Sequence, residues 1–321
     1  MSIDKNNHLN RVLESHRMSH VGDLMEKYKT KREKVKDALE DKFKEEIVSR
    51  AINSGSYAKH DAVNIKFDLD VCQPFKRNSF DTLKKMADAV FDFFNNEFED
   101  DDLLRYETRK QRVSTGITFN VDGDEIQMDI VPGRELLKDD YSETNRINLY
   151  VRPKLFEDES STQTNIQKHI DLIKGKDAER KVIRLLKIWK VNRRKKKVKS
   201  FLVELITIRA FDNSSNIPSD QWGKLKMVME YIRDNIETIR LEDPANSNNV
   251  VSDTMSESDK IDFSYDMKEI LDDIEKDDNR IKKHFTINDE FDKNDDEDKK
   301  AAALEVVRSG IVKKPWSNLN C

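Results

Sequence analysis

The apolar positions of the chain change period several times. Val21, Leu24, Met25, Tyr28, Val35, Leu39, Phe43 and Ile47 recur at steps of mostly three, four and seven, the stripe of one long amphipathic helix between Val21 and Val48. Ile65, Phe67, Leu69 and Val71 then alternate with Lys66, Asp68 and Asp70, which predicts a half-buried strand. Its polar face carries both aspartates about 7 Å apart at the usual rise per residue. A second helix is predicted from Ser79 to Phe98, with Ser79 as N-cap and Asp81 in the first turn. Strand periodicity resumes from Val113 to Val121. It turns at Asp122 to Glu125 and returns through Ile126, Met128 and Ile130, a hairpin whose second strand ends at Pro132-Gly133. Asp129 falls on the face opposite Met128 and Ile130, where a sheet neighbour could bring it beside Asp68 and Asp70.

From Asn165 onward helical periods dominate. They run through IQKHIDLIKG and DAERKVIRLLKIWKVNRRKK, with Asp177 as N-cap, then Phe201 to Ala210, Gly223 to Ile239 and Tyr265 to Lys283. The turn-rich DPANSNN, Asp243 to Asn249, interrupts them, and Asn288 to Lys300 reads as a solvated acidic linker. The plan is α+β: a mixed sheet flanked by helices in residues 1–155, an all-helical unit in residues 156–321, and the long N-terminal helix joining the two.

Composition narrows the function classes. A 38% share of charged residues and a formal net charge of -5 leave attraction of nucleic acid or nucleotides to local basic surfaces. The two cysteines, Cys72 and Cys321, have no metal-ligand or CxxC neighbour, and the N-terminus lacks an apolar leader. No window approaches 18 apolar residues, so a reduced cytoplasmic setting without a membrane span is expected. The six histidines show no metal spacing, and Trp189 and Trp222 are expected in the core. The basic run from Arg193 to Lys199 sits at a helix end, where the helix dipole favours cations. No aromatic residues interleave it, so nucleic-acid binding is not expected there.

Three carboxylates on neighbouring strands, with no His or Cys among them, form an all-oxygen donor set. Such a set suits Mg²⁺ or Mn²⁺ better than zinc, and clusters of this kind hold two ions for in-line phosphoryl chemistry. The Gly55-Ser56 turn lets backbone approach phosphate oxygens and offers a hydroxyl to them. Alone, a DxD also describes the solvated face of an edge strand, and a Gly-Ser also describes an ordinary turn. Here eleven residues separate Ser56 from Asp68, and a third aspartate follows on a later strand.

With these residues in place, GSYAKHDAVNIKFDLDV and IQMDIVPGRE resemble the GS…DxD and third-aspartate motifs of the DNA polymerase β-type nucleotidyltransferases. Within that superfamily the chain is similar to the CD-NTases, the cyclic-oligonucleotide synthases related to cyclic GMP-AMP synthase and oligoadenylate synthase. Two positions depart from the pattern: Asp61 stands where relatives often carry threonine, and Phe67 where serine often precedes the DxD. The resemblance implies that Asp68, Asp70 and Asp129 hold two Mg²⁺ ions, replaceable by Mn²⁺, and carry the chemistry. RLLKIWK resembles the helix whose lysine contacts the triphosphate, giving Lys187 with Lys190 as substitute. KSFLVELI resembles the segment in which a serine binds phosphate and the next aromatic stacks on a base, giving Ser200 and Phe201. LEDPANSNNV is similar to a signature near the domain junction and is read as structural. Tyr141 and Tyr150 are further stacking candidates.

The function implied is a nucleotidyltransferase that converts nucleoside triphosphates into a cyclic di- or trinucleotide second messenger, in bacterial antiphage defence. An effector protein would act through the product, and a regulatory protein partner is allowed for. Two other functions stay open: transfer of nucleotides to an RNA 3′ end or a protein by the same fold, and nucleotide sensing without catalysis.

Overall fold

A computed structural model describes residues 2–67, 69–99 and 106–292. Asp68, Cys321 and residues 293–300 of the acidic stretch lie outside the described residues. The architecture is α+β, a mixed sheet flanked by helices and followed by a helical half. Among the described residues no helix is long and apolar enough to cross a membrane.

The chain opens with helix α1 (Lys5–Ser15), which the sequence reading did not anticipate, N-capped by the Asp4 carboxylate. The long helix follows as α2 (Gly22–Lys42), burying Met25, Tyr28, Val35 and Leu39 on one side as its spacing predicts. It ends at Lys42, short of Val48. Strand β1 (Ile52–Asn53) and the single turn α3 (Gly55–Ala58) lead to β2 (Val71–Phe75), and the next helix is α4 (Leu83–Asn96). That helix starts three residues later than predicted because Thr82, not Ser79, supplies the cap: its hydroxyl accepts from Lys85 N at 3.0 Å.

The predicted strand Ile65–Val71 is not where the sheet strand lies. Lys66 N bonds back to Val63 O, a tight turn. The alternation is real but serves two different cores. Val63 and Ile65 pack into the helical core, whereas Phe67, Leu69 and Val71 pack into the sheet core. The strand itself, Val71–Phe75, is buried on both faces and therefore reads as a continuous run without alternation.

The rest of the sheet is β3 (Glu107–Lys110), β4 (Thr115–Val121) and β5 (Asp124–Glu135); after the one-turn helix α5 (Tyr141–Thr144) come β6 (Ile147–Val151) and β7 (Ser160–Thr164). The order is β1-β2-β5-β4-β3, with β6 on β5 and β7 on β6. The predicted hairpin is β4–β5, with φ of 51° and 86° at Asp122 and Gly123 as its tight turn requires. Strand β5 runs past Pro132-Gly133 to Glu135, because it exchanges β4 for β6 as its antiparallel neighbour while pairing in parallel with β2.

The helical half comprises α6 (Ile166–Ile173), α7 (Asp177–Asn192), α8 (Ser200–Asp212) and α9 (Gln221–Asn235), then the hairpin β8 (Glu242–Asp243) and β9 (Asn246–Val250), and finally α10 (Glu257–Lys276) and α11 (Ile281–His284). Asp177 is the first residue of α7, not its cap. Helix α10 starts earlier than Tyr265, at a capping box between Ser256 and Asp259. Leu9 and Val12 of α1 and Trp189 of α7 belong to the helical core.

One buried charge cluster joins the sheet side to the helical side. Lys187 on α7 lies 2.7 Å from Asp61 and 2.9 Å from Glu204 on α8, and Lys59 lies 2.6 Å from the other Glu204 oxygen. Asp61 is fully buried, as Glu204 and Lys187 nearly are. Burial and the neighbouring Glu204 charge push the Asp61 carboxyl up to about 6 against the pull of Lys187. Burial would also raise Glu204, but Lys187 and Lys59 together hold it well below the usual range. Burial would lower the Lys187 ammonium, and the two carboxylates outweigh that and raise it.

Lys187→Met should cost about 3–5 kcal/mol, seen as a lower denaturant midpoint, because two buried carboxylates lose their shared cation. Asp61→Asn tests the protonation state. The folded chain keeps a proton on Asp61 up to about pH 6 that the unfolded chain releases near the ordinary carboxylate value of 3.8, so stability from this group is lost as pH rises through 6. Wild type should therefore gain stability relative to Asp61→Asn as pH falls from 6 to 4.5, measured by urea unfolding at each pH.

Candidate active site

The site begins where β1 ends. Ser54 N donates to Asp70 O at 2.7 Å, extending the β1–β2 ladder by one step. Gly55 then takes φ 77°, a conformation costly for residues with a Cβ, and the chain folds directly into α3 with Ser56 in its first turn. Leu69 is buried in the sheet core and anchors the entry to β2, with Asp70 half-buried beside it. Asp70 Oδ1 accepts from Asp129 N at 3.1 Å, so the structure brings these two carboxylates to adjacent strands. Asp68 lies outside the described residues. Among the described residues no three His, Cys, Asp or Glu side chains are grouped to hold a metal ion.

A residue absent from the sequence reading supports this pair. Gln111 Nε2 donates to Asp129 Oδ1 at 2.7 Å, and Gln111 Oε1 accepts from the Ser114 hydroxyl at 3.0 Å. Gly116, opposite Asp129 on β4, makes the room: a Cβ there would sit 2.7 Å from Gln111 Nε2. Gln111 falls in the irregular link between β3 and β4, so no periodicity marks it.

At the Gly55-Ser56 turn, which follows the Ser54 bonded to Asp70, opens a cavity of about 190 Å³ lined by Gly55, Ser56, Lys59, Lys66, Lys190, Ser200 and Phe201. The structure thus gathers the predicted phosphate and base residues at one place, with different roles for the two candidate lysines. Lys187 reaches the cavity wall, but its ammonium is held between Asp61 and Glu204. Lys190, three residues on, donates to the Ser200 hydroxyl at 2.9 Å. Ser200 is the first residue of α8, a helix of 13 residues whose unpaired N-terminal N–H groups favour an anion.

Phe201 is half-buried against His169, their ring centroids 4.8 Å apart, with Lys59 Nζ 5.5 Å from its ring centre. His169 Nε2 is 2.7 Å from Asp243 Oδ1. Asp243 also accepts from Ala245 N at 2.8 Å and Asn249 Nδ2 at 3.1 Å, which ties the DPANSNNV segment to the ring behind Phe201. Tyr141 and Tyr150, expected near the cleft, are buried instead. Tyr141 packs with Cys72 and Ile147, where burial pushes its hydroxyl up to about 12, and Tyr150 lies under the Arg152 guanidinium. Of the basic run, Lys195 is paired with Asp266 at 2.6 Å.

No family model matches the sequence, and no curated protein matches it. Solved structures do match. Escherichia coli MS115-1 CdnC with ATP superposes at a TM-score of 0.62 and 23% identity, over 84% of this chain and 91% of that one. The Bradyrhizobium diazoefficiens CD-NTase CdnG in complex with GTP gives 0.62 at 10% identity, over 87% and 94%. Vibrio cholerae DncV, a cyclic AMP-GMP synthase and prokaryotic cGAS homolog, gives 0.56 at 15% identity, over 74% and 68%. The chain has the fold of the CD-NTases.

Proposed function

We propose that the protein is a nucleotidyltransferase that joins ribonucleoside triphosphates and closes them into a cyclic di- or trinucleotide. The observation that carries this reading is the pairing of Asp70 with Asp129 by the Asp129 N–Asp70 hydrogen bond, in a chain whose Ser54, bonded to Asp70 O, leads directly into the Gly55-Ser56 turn that lines a cavity with Lys190 and Ser200. That it occurs in a fold whose solved examples hold ATP and GTP supports the assignment.

Each side chain then has a task. Ser56, Ser200 and the N-terminus of α8 bind triphosphate oxygens, and Lys190 neutralises them. Lys187 holds the pocket floor by fixing Asp61 and Glu204. Phe201, backed by His169, stacks on a base. Asp129, oriented by Gln111, accepts the proton of the attacking ribose hydroxyl as oxygen bonds to the α-phosphorus and the bond to pyrophosphate breaks. Asp70 and Asp129 present only carboxylate oxygens, a donor set that fits a hard divalent ion. With Asp68 they would hold two Mg²⁺, or Mn²⁺, which supply charge neutralisation of the phosphates and a lowered pKa for the attacking hydroxyl.

The product would serve as a second messenger read by an effector protein, in bacterial antiphage defence in the cytoplasm. A regulatory protein partner is consistent with one matching structure, a CdnC:HORMA-deltaN complex.

Purified protein incubated with all four ribonucleoside triphosphates and Mg²⁺ or Mn²⁺ should yield a phosphatase-resistant cyclic product by mass spectrometry. Asp129→Asn should lower its rate by about 10²–10⁴-fold, the usual contribution of a positioned base, with the circular dichroism unchanged. Only linear extension of an added RNA would move the assignment to the RNA 3′-end reading. Lys190→Ala should raise the KM for triphosphate about 10- to 100-fold, the worth of one charge-assisted hydrogen bond, without altering the unfolding midpoint. An unchanged KM would remove Lys190 from the triphosphate site.

A further inference from the structure

The DPANSNNV segment, read from sequence as structural, lines a cavity of about 650 Å³, larger than the catalytic one. It lies elsewhere. Arg146 on its rim immediately precedes Ile147, which pairs with Glu135, and Glu135 is six residues beyond Asp129 on β5, about 20 Å at the usual rise. On α8 its Arg209 is nine residues past Ser200, about 13 Å along the helix. The cavity is built across the junction of the two halves: Asn246 Nδ2 donates to Gln163 O of β7 at 3.2 Å, and α6 and α8 form the opposite wall.

Its charges are arranged for an anion. The three acids on the wall are already engaged: Asp212 with Lys176 at 3.7 Å, Glu242 with Arg240 at 2.9 Å and Asp243 with His169 at 2.7 Å. The three bases, Arg146, Lys168 and Arg209, have no acidic partner among the described residues. Arg146 is turned by a hydrogen bond to Gln163 Oε1 at 2.7 Å. Leu172, Leu205, Ile208 and Leu241 supply apolar surface, and the Asn246 and Asn248 amides supply polar edges. Cationic rim, apolar surface, amide edges and volume together match a phosphate-bearing nucleotide.

We propose that this junction cavity is a second nucleotide site, separate from the catalytic cleft, and that its occupancy reaches the cleft through Asp243, His169 and Phe201. A ligand bridging Arg146 from the sheet side with Lys168 and Arg209 from the helical side would fix the junction. Asp243 is at once a wall of this cavity and the hydrogen-bond partner of the ring that backs Phe201. The coupling to the cleft rests on the catalytic reading above; the site itself does not.

Two sources share this chemistry, mononucleoside triphosphates and cyclic dinucleotides, and equilibrium dialysis separates them. One arm uses radiolabelled 2′,3′-dideoxy-ATP, which has no hydroxyl to be linked, and the other uses cyclic di-AMP and cyclic di-GMP. Each is run on wild type, on Lys190→Ala/Ser200→Ala and on Arg146→Ala/Arg209→Ala, whose exposed arginines leave the core intact. Binding in at least one arm that survives the cleft substitutions and weakens tenfold or more in the double arginine variant supports the site and names its source. Binding in neither arm overturns it, as does binding abolished by the cleft substitutions or indifferent to the arginines. No turnover is involved, so an inactive enzyme leaves this result readable. For the coupling, saturating the cavity should change cleft affinity several-fold in wild type but not in His169→Ala; equal shifts in both would overturn the relay.

Discussion

The arrangement depends on one buried cation. Lys187 projects from α7 into a space where Asp61 enters from the sheet side and Glu204 from α8, and it reaches both at hydrogen-bond distance. An isolated ion there would cost several kcal/mol, so each member is tolerable only while the others stay in place. The cluster therefore acts as a register pin. It holds the segment from Lys59 to Ile65, which leads toward Asp70, against the helices that carry Lys190 and Ser200. The Asp61 carboxylate is what gives Lys187 its second partner.

This pin divides labour between two lysines on one helix. Residues three apart on α7 share a face. The deeper, Lys187, spends its charge on the protein. The shallower, Lys190, lines the cavity and donates to the Ser200 hydroxyl at 2.9 Å. Sequence similarity pointed first to Lys187 because motif position does not report depth; burial does.

Legibility in the sequence followed the same logic. The hairpin β4–β5 was readable because one face of each strand meets a core and the other does not, so Asp129 could be placed by parity alone. Helix α2 was readable from its stripe, but its end was not, since Phe43 and Ile47 continue the apolar spacing after the helix has stopped. Strand β2 was misplaced because Val63 to Val71 supplies apolar residues alternately enough to mimic one sheet face while feeding two cores. Tyr141 and Tyr150 look alike in sequence whether they line a cleft or fill a core. Gln111 and His169 carried no signal at all, since their roles come from what long-range folding sets beside them.

Helix α8 shows why such roles cluster. Leu202 to Ile208 are buried without a break, so the helix has little freedom to rock against its neighbours. Its N-terminus presents Ser200 and Phe201 to the cavity at the Gly55-Ser56 turn, while Arg209 and Asp212 near its other end border the junction cavity. A buried helix of this kind is a poor hinge but a good ruler. It fixes the spacing of the two cavities, and alongside it His169 of α6 stands between Phe201 and Asp243 and contacts both through one imidazole ring.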